Sequence, residues 1–193
     1  MQSSELAGLL EFLRTAERLK DATRSAWTSG GRRESVAEHS WRLCLMALVL
    51  RHDFPEVDFA RLVRICIVHD LGEAIGGDVP APEQVGRPSK ADQERRDLNT
   101  LLETLPRRSQ EEILELWDEY EAAVSPEARL VKALDKLETI LQHNQGSNPS
   151  DFDYRFNLGY GRQYTADDPL IVQMREILDQ DTAQRARAAG QDV

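Results

Sequence analysis

Apolar residues recur along most of this chain at steps of three and four, the spacing that places side chains on one face of an α-helix. Leu6, Leu9, Leu10 and Leu13 form the first such stripe. No stretch alternates cleanly between apolar and polar residues, which is the period of two that a half-buried strand would show. The sequence therefore predicts an all-α fold, a bundle of about seven helices in which strands are absent or trivial.

The length and charge of the chain limit what it can do. Its 193 residues suit a single domain over 1–193, because a chain of this size can bury about 70% of the surface that it exposes when unfolded. A metal ion is then not needed merely to stabilise the fold, so a metal found here would serve chemistry. The excess of 34 acidic over 24 basic residues gives a formal net charge of -10, which argues against binding to nucleic-acid polymers or anionic membranes.

The sequence also carries signals about location. No apolar run approaches the roughly 20 residues that span a bilayer, and the first residues lack the basic start and apolar block of a signal peptide. Cys44 and Cys66 lie inside apolar helical patterns, which is typical of small core residues in a reducing compartment. We therefore expect a cytoplasmic protein.

Two of the predicted helices carry a histidine on their apolar face. Ser35 opens the second helix, and Glu38 three residues later completes a capping-box pattern. His39 follows in the first turn, in register with the apolar stripe of that helix. The third helix carries His69 on its apolar face, with Glu73 one further turn along the same face. Both imidazoles are therefore expected to point into the interior.

The second half of the chain divides into three parts. A helix opened by Ser125 carries a leucine stripe, with Asp135 at its edge, and completes a core of about 9–141. A polar segment over 144–167 lacks helical period but is rich in Phe and Tyr. Its alternatives are a pocket wall, an irregular coil packed on the core, and a dimer contact. A last helix is predicted over 168–187.

Four side chains able to bind a metal lie on or beside the buried faces of three separate helices: His39, His69, Asp70 and Asp135. A buried carboxylate must be paired, hydrogen-bonded or metal-bound. Two imidazoles with two carboxylates suit one divalent ion such as Mn, Co, Fe or Zn and leave positions open for water. Taken singly, His39 can bond to backbone and Asp135 can pair with a lysine of its own helix. The ordered set is what favours a metal-dependent catalytic centre.

This ordered set resembles the His…His-Asp…Asp signature of the HD-domain superfamily of metal-dependent phosphohydrolases. The resemblance to the HD-domain 5′-deoxynucleotidases is carried by Glu34–His39, His69–Glu73 followed by Gly77 and Asp78, Leu116–Glu121, and Val131–Lys136. It extends from about Leu9 to about Leu141. It implies the helical HD fold, one divalent metal ion and a nucleotide substrate.

The resemblance also implies roles for individual positions. The metal would be held by His39, His69, Asp70 and Asp135. Asp70, Glu73 and Asp78 would carry catalysis, Glu73 and Asp78 by acting on water or on the leaving oxygen. A metal ion lowers the pKa of bound water to about 7, and a carboxylate one turn beyond His69 is well placed to handle the proton.

Substrate contacts are implied for three further residues. Arg24, in a predicted polar loop, would bind phosphate, because its planar guanidinium can donate to two phosphate oxygens at once. Trp27 is expected to stack on the base or sugar, the alternative being that it plugs the edge of the core. Glu119 matches an acidic pocket position of the family. Two residues separate Arg24 from Trp27, as in the eukaryotic branch of the family, whereas bacterial members place the Trp directly after the Arg, so the sugar preference stays open. His52 and His143 are expected to lie outside the site.

The leading hypothesis is a metal-dependent phosphomonoesterase that releases phosphate from (deoxy)nucleoside 5′-monophosphates. An alternative keeps the chemistry but takes nucleoside triphosphates or another phosphate ester. A third interpretation is a metal-bearing dimerisation module without turnover. Because members of the resembled family usually form dimers, we also expect a homodimer.

Overall fold

The computed structural model describes residues 2–79 and 90–193. The α-helices of these ranges are α1 (Ser3–Ala16), α2 (Val36–Val49), α3 (Phe59–Val68), α4 (Glu73–Gly76), α5 (Lys90–Leu102), α6 (Arg107–Ala122), α7 (Pro126–Gln145), α8 (Arg155–Gly159) and α9 (Pro169–Ala188). Two short strands, β1 (Thr23–Trp27) and β2 (Arg33–Ser35), form one antiparallel hairpin. The all-α prediction is confirmed, and the helices beyond the predicted seven include the short α4 and α8. No helix in the described ranges is long and apolar enough to cross a lipid bilayer.

The hairpin replaces part of the predicted polar loop. Thr23 lies opposite Ser35 and Trp27 opposite Arg33, with an irregular register between the two pairs. A strand of five residues is too short to show a clear period of two, so the sequence pattern did not indicate it. Because β2 ends directly at α2, the hairpin places Arg24 beside the helix that carries the first histidine.

Side-chain caps start both α2 and α3, and α2 begins directly after Ser35, as predicted. The Ser35 hydroxyl accepts a hydrogen bond from the Glu38 backbone N–H at 3.3 Å, and the Glu38 carboxylate accepts one from the Ser35 N–H at 2.9 Å. Asp58 caps α3 by accepting from two backbone N–H groups. This capping fixes where each helix begins and therefore which way its histidine points.

The prediction that His69 and Glu73 share one helix is wrong. Helix α3 ends at Val68, the chain turns, and Glu73 begins the separate short helix α4. The turn brings Gly72 against α5, where a Cβ atom would lie 2.7 Å from the Glu94 carbonyl oxygen. Only glycine fits this approach, and it brings Glu73 close to the start of α5.

Helix α7 is the central element of the fold. Leucines such as Leu134 and Leu137 are fully buried, as the stripe predicts. Asp135 and Glu138, expected at the edge of the stripe, are also buried, with 4% and 0% of their surface exposed. Polar groups on a helix buried on most sides must find partners. The polar residues of α7 are therefore the natural place to look for a site.

The aromatic-rich segment over 144–167 is more regular than predicted. Helix α7 continues to Gln145, and the rest contains α8 and a single 3₁₀ turn, Arg162–Tyr164. The buried Arg175 of α9 holds this segment by donating to the backbone carbonyls of Asn157, at 2.7 Å, and Tyr160, at 2.6 Å. Its Nε also donates to Asp179.

Replacing Arg175 by Met is expected to lower the free energy of unfolding by about 3 kcal/mol, because it leaves buried carbonyls and a carboxylate without their charged donor. Urea unfolding followed by circular dichroism measures this. Arg162→Met is a matched control: Arg162 also contacts α8 and Asp179 but is mostly exposed, so its loss should cost less than about 1 kcal/mol. Equal losses in the two variants would contradict the role assigned to Arg175.

Candidate active site

The structure brings His39, His69, Asp70 and Asp135 together from α2, the end of α3 and α7. The Nε2 atoms of His39 and His69 lie 3.3 Å apart. Asp135 Oδ1 is 3.2 Å from His39 Nε2, and Asp70 Oδ2 is 3.1 Å from His69 Nε2. Three segments that are distant in sequence thus converge on a space of a few ångströms.

The ring orientations of the two histidines fit a cation between them. The Nδ1 atom of His39 faces a carboxylate oxygen of Glu138, and that of His69 faces the Cys66 carbonyl oxygen at 2.8 Å. Both partners are acceptors, so each Nδ1 carries a hydrogen and Nε2 is the atom left to bind a cation or a second proton. Two lone pairs that face each other at 3.3 Å repel unless a cation or a proton lies between them. Histidine ligands of metals are oriented by outer partners in this way.

The charges of the cluster also favour a cation. Burial and Arg24 disfavour a charged His39, but Glu138 and Asp135 outweigh them and raise the pKa of His39 to about 10. Burial opposes ionisation of Asp135, yet Lys136 and His39 hold its pKa well below the usual range. Burial likewise opposes ionisation of Asp70, and His69 is the largest of the charges that keep its pKa low. The carboxylates of Asp70 and Asp135 are therefore ionised, and a cation between them would balance their negative charge.

Arg24 lies directly beside this cluster. Its Nη1 donates to Asp70 Oδ2 at 3.3 Å and its Nη2 to the Thr139 hydroxyl at 2.9 Å. Its Nε is 3.6 Å from Glu34 and makes no hydrogen bond within the described chain. Burial would lower the pKa of Arg24, but Asp70 and Asp135 more than compensate, so the guanidinium stays charged. A fixed cation with an unused donor thus borders the cluster.

The cluster opens into a cavity of about 440 Å³. Asp70, Asp135 and Arg24 line it, together with acidic and lysine side chains from α4, α5 and α7. Its other lining residues include aromatic side chains of the segment after α7, which are Phe156, Tyr160 and Tyr164. The pocket-wall alternative for this segment is therefore the one that its placement favours.

Glu73 and Asp78 both reach the cavity. Glu73 Oε1 accepts from Lys90 Nζ at 3.1 Å, while its Oε2 has no hydrogen-bond partner in the described ranges. Burial, followed by the charge of Asp70, raises the pKa of Glu73 to about 9 even though Lys90 opposes the shift. Asp78 Oδ1 is 3.7 Å from the same Lys90 Nζ. Nothing in the sequence distinguished Lys90 from the surface lysines, so sequence analysis missed it.

Two predicted substrate residues are not brought to the cavity. Trp27 is absent from its described lining residues, and its indole lies under the guanidinium of Arg33. Glu119 is absent as well, because its carboxylate accepts hydrogen bonds from Arg61 at 2.7 Å and from Ser125 at 2.5 Å. The substrate contacts expected of Trp27 and Glu119 therefore do not fit their placement.

The expectation for His143 is also corrected. It lies two helical turns beyond Asp135 on α7, it is buried, and it lines the cavity. Its Nδ1 is 2.9 Å from Asn157 Oδ1, and burial lowers its pKa, so it is a neutral ring rather than a cation at the helix end. Its position two helical turns after Asp135 was the sequence feature that could have indicated that His143 lies at the cavity. His52 is exposed in a short turn after α2, as expected.

Several known proteins are similar to this chain in sequence. Residues 16–175 match the sequence model of a family described as "HD domain". The chain is 38% identical over 141 residues to "5'-deoxynucleotidase HDDC2" of Mus musculus, covering 72% of this chain and 70% of that protein. It is 40% identical over 139 residues to the Bos taurus protein of the same name, covering 71% and 67%.

A solved structure extends the similarity to nearly the whole chain. The "Predicted metal-dependent phosphohydrolase" of Magnetospirillum magnetotacticum MS-1 superposes with a TM-score of 0.81 at 27% identity, covering 95% of each chain. The family match and the identity to the mammalian proteins confirm the resemblance from which the site residues were inferred. The chain therefore belongs to the HD-domain family.

Proposed function

We propose that this chain is a metal-dependent phosphomonoesterase that hydrolyses (deoxy)nucleoside 5′-monophosphates to nucleoside and phosphate. The observation that carries the proposal is the pair of facing Nε2 atoms, 3.3 Å apart and flanked by two ionised carboxylates, beside the buried Arg24 at a cavity. Relatives named 5′-deoxynucleotidases support the choice of substrate.

His39, His69, Asp70 and Asp135 would hold the cation, with Mn, Co, Fe and Zn as the candidates that suit this donor set. A divalent ion in such a site supplies Lewis-acid stabilisation of a phosphoryl oxygen and activates water. The outer partners Glu138 and Cys66 keep the two rings in the tautomer that this requires. The rest of the chemistry is assigned to residues of the chain.

Arg24 is the phosphate-binding residue in this proposal. Its Nη atoms are anchored by Asp70 and Thr139, so the guanidinium is held in one orientation at the cavity. It provides a fixed positive charge in a chain whose net charge is -10. Such a preorganised donor stabilises the charge that develops on the phosphoryl oxygens during in-line attack.

Glu73 is the proton-transfer residue. With its pKa raised to about 9, it holds a proton at neutral pH, and its unpartnered Oε2 is the atom that can give this proton to the leaving 5′-oxygen. Lys90 Nζ lies 3.1 Å from Glu73 Oε1 and 3.7 Å from Asp78 Oδ1. The negative charge of Asp78 also raises the pKa of Glu73, so Asp78 helps to keep the proton on Glu73.

The charges around the cavity favour a monophosphate over a triphosphate. Lys132 is paired with Glu121 at 2.7 Å, and Lys136 with Asp135 at 2.8 Å. Lys90 forms an ion pair with Glu94 at 3.0 Å and lies 3.7 Å from Asp78. Each lysine in the described part of the cavity lining thus already has an acidic partner, so none of them is free to bind a second or third phosphate.

Cation binding to the metal-free protein is expected to release about one proton near pH 7, because His39, with a pKa near 10, must lose its proton to become a ligand. Because fewer protons compete for His39 at higher pH, the apparent affinity for Co²⁺ should rise with pH between about 6 and 8. Calorimetry in buffers of different ionisation enthalpy measures the release. An enthalpy independent of the buffer would contradict this assignment of His39.

The proposal includes a homodimer in the cytoplasm. A second copy is supported by an apolar stripe on one face of α2 that is exposed in the described part of the chain, formed by Trp41, Leu45, Leu48 and Val49, of which Trp41 is 66% exposed. Light scattering is expected to give the mass of a dimer, and Trp41→Glu with Leu48→Glu that of a monomer. A monomeric parent protein would refute the dimer without touching the catalytic proposal.

The activity itself is tested by a screen of phosphate esters with the cation varied. We expect phosphate release from deoxynucleoside 5′-monophosphates, and much slower release from the matching 3′-monophosphates and 5′-triphosphates. Preferred hydrolysis of triphosphates would favour the alternative substrate class. Tight metal binding without turnover of any ester would favour a non-catalytic module and overturn the proposal.

A further inference from the structure

We propose that Phe156 and Tyr160 form the nucleobase subsite, with the base of the substrate stacked on these two rings. The inference rests on the proposed function and extends it to the part of the substrate that does not react. It concerns the segment after α7, whose role the sequence left open.

Phe156 stands out among the apolar side chains of the protein. It is 39% exposed, and among the large exposed apolar side chains of the described ranges it is the one that lines the cavity. An aromatic ring open to solvent at the edge of a ligand cavity leaves its face unburied, so a flat apolar ligand group gains free energy by covering it. A nucleobase is such a group.

Tyr160 continues this surface toward the catalytic cluster. The ring centroids of Phe156 and Tyr160 are 5.3 Å apart with an interplanar angle of 33°. Lys136 Nζ lies 5.2 Å from the centre of the Tyr160 ring and 2.8 Å from Asp135 Oδ2. A series of contacts therefore leads from the proposed metal ligand Asp135 to the two rings, and Asp135, Phe156 and Tyr160 line the same cavity. In the proposed binding mode, the phosphate of one nucleotide lies at the metal cluster and its base lies at the two rings.

The segment that carries the rings is held in place before a ligand arrives. Arg175 binds the backbone carbonyls of Asn157 and Tyr160. Gly161 has a φ of +67°, and a Cβ atom there would lie 2.5 Å from Lys136 Cγ, so this glycine lets the backbone approach α7 closely. A surface ordered in advance loses less conformational freedom on binding.

Stacking is tolerant of base identity, because every nucleobase has a π face. The subsite therefore implies broad acceptance of bases with a modest preference for the larger purines. It also implies that the base contributes binding that a sugar phosphate lacks. The contribution expected for one stacked base corresponds to roughly a 10- to 100-fold change in kcat/KM.

The test compares a deoxynucleoside 5′-monophosphate with 2-deoxyribose 5-phosphate on the metal-loaded enzyme. The parent protein should prefer the nucleotide by about 10- to 100-fold in kcat/KM. Phe156→Ala should lose most of this preference because kcat/KM falls for the nucleotide alone, while Phe156→Trp should retain the preference. Ile177→Ala removes another exposed apolar side chain, on α9. It should leave kcat/KM unchanged for both substrates.

Inhibition by the product deoxynucleoside gives a second readout, and its Ki should rise about tenfold or more in Phe156→Ala. Equal kcat/KM values for nucleotide and sugar phosphate in the parent protein would overturn the subsite but leave the phosphatase proposal intact. So would a preference that Phe156→Ala leaves unchanged. Absence of turnover of both esters would instead refute the proposed function.

Discussion

Asp70→Asn is expected to lower phosphate release by about 1000-fold or more. Asp70 Oδ2 lies 3.1 Å from His69 Nε2 and 3.3 Å from Arg24 Nη1, so one carboxylate serves both the proposed cation site and the phosphate-binding guanidinium. An amide of the same shape removes the negative charge and one of the proposed ligands at once. Initial rates, together with the metal content of the purified variant, measure the effect.

The matched control is Asp118→Asn on α6. Asp118 also accepts hydrogen bonds from an arginine, Arg95, but the pair is exposed and outside the described cavity lining. Its substitution should leave the rate within about twofold. Circular dichroism of both variants establishes that the fold is retained. An Asp70→Asn variant that keeps its metal and its full rate would exclude the assigned role of this carboxylate.

Glu73→Gln is expected to lower kcat by about 10²- to 10⁴-fold with a smaller effect on KM, because the amide cannot transfer a proton. The parent protein should lose kcat as the pH rises through the pKa of Glu73, since the protonated form is the one that acts. The residual activity of Glu73→Gln should lack this decline. The pH dependence of kcat between about 6 and 10 measures both effects.

Glu94→Gln is the matched control, because Glu94 also forms an ion pair with Lys90, at 3.0 Å, and also lines the cavity. We expect it to lower kcat by less than about tenfold and to keep the alkaline decline. If Glu94→Gln abolished the decline while Glu73→Gln kept it, the proton would belong to Glu94. A Glu73→Gln variant with the parent kcat would remove proton transfer by Glu73 from the mechanism.

The parts of the fold that the sequence predicted are those set by local physics. The capping box of Ser35 and Glu38 fixed the start of α2, and the helical spacing from it correctly placed His39 inside. Apolar periodicity located α7 in the same way. The convergence of His39, His69 and Asp135 was predicted from the cost of burying such groups and from the family resemblance, and the structure does bring the three together.

The parts that the sequence did not predict depend on long-range packing. Helix α3 ends at Val68, and Gly72 lies in the turn before α4, where the backbone of α5 passes close to it; no local pattern carries that information. Glu119 matched a family position, but its carboxylate accepts a hydrogen bond from Arg61, which lies 58 residues away in the sequence. Lys90 and His143 reach the cavity only because α5 and α7 are packed as they are.

In the proposed mechanism, one divalent cation held by His39, His69, Asp70 and Asp135 makes this chain a nucleotide phosphatase. Metal-depleted protein titrated with Co²⁺, with phosphate release from a deoxynucleoside 5′-monophosphate followed at each step, tests it most directly. Turnover should be absent without the cation, rise linearly as Co²⁺ is added, and reach a plateau at one ion per chain. Full turnover of the metal-depleted protein, or no turnover with any of Mn, Co, Fe or Zn, would contradict it.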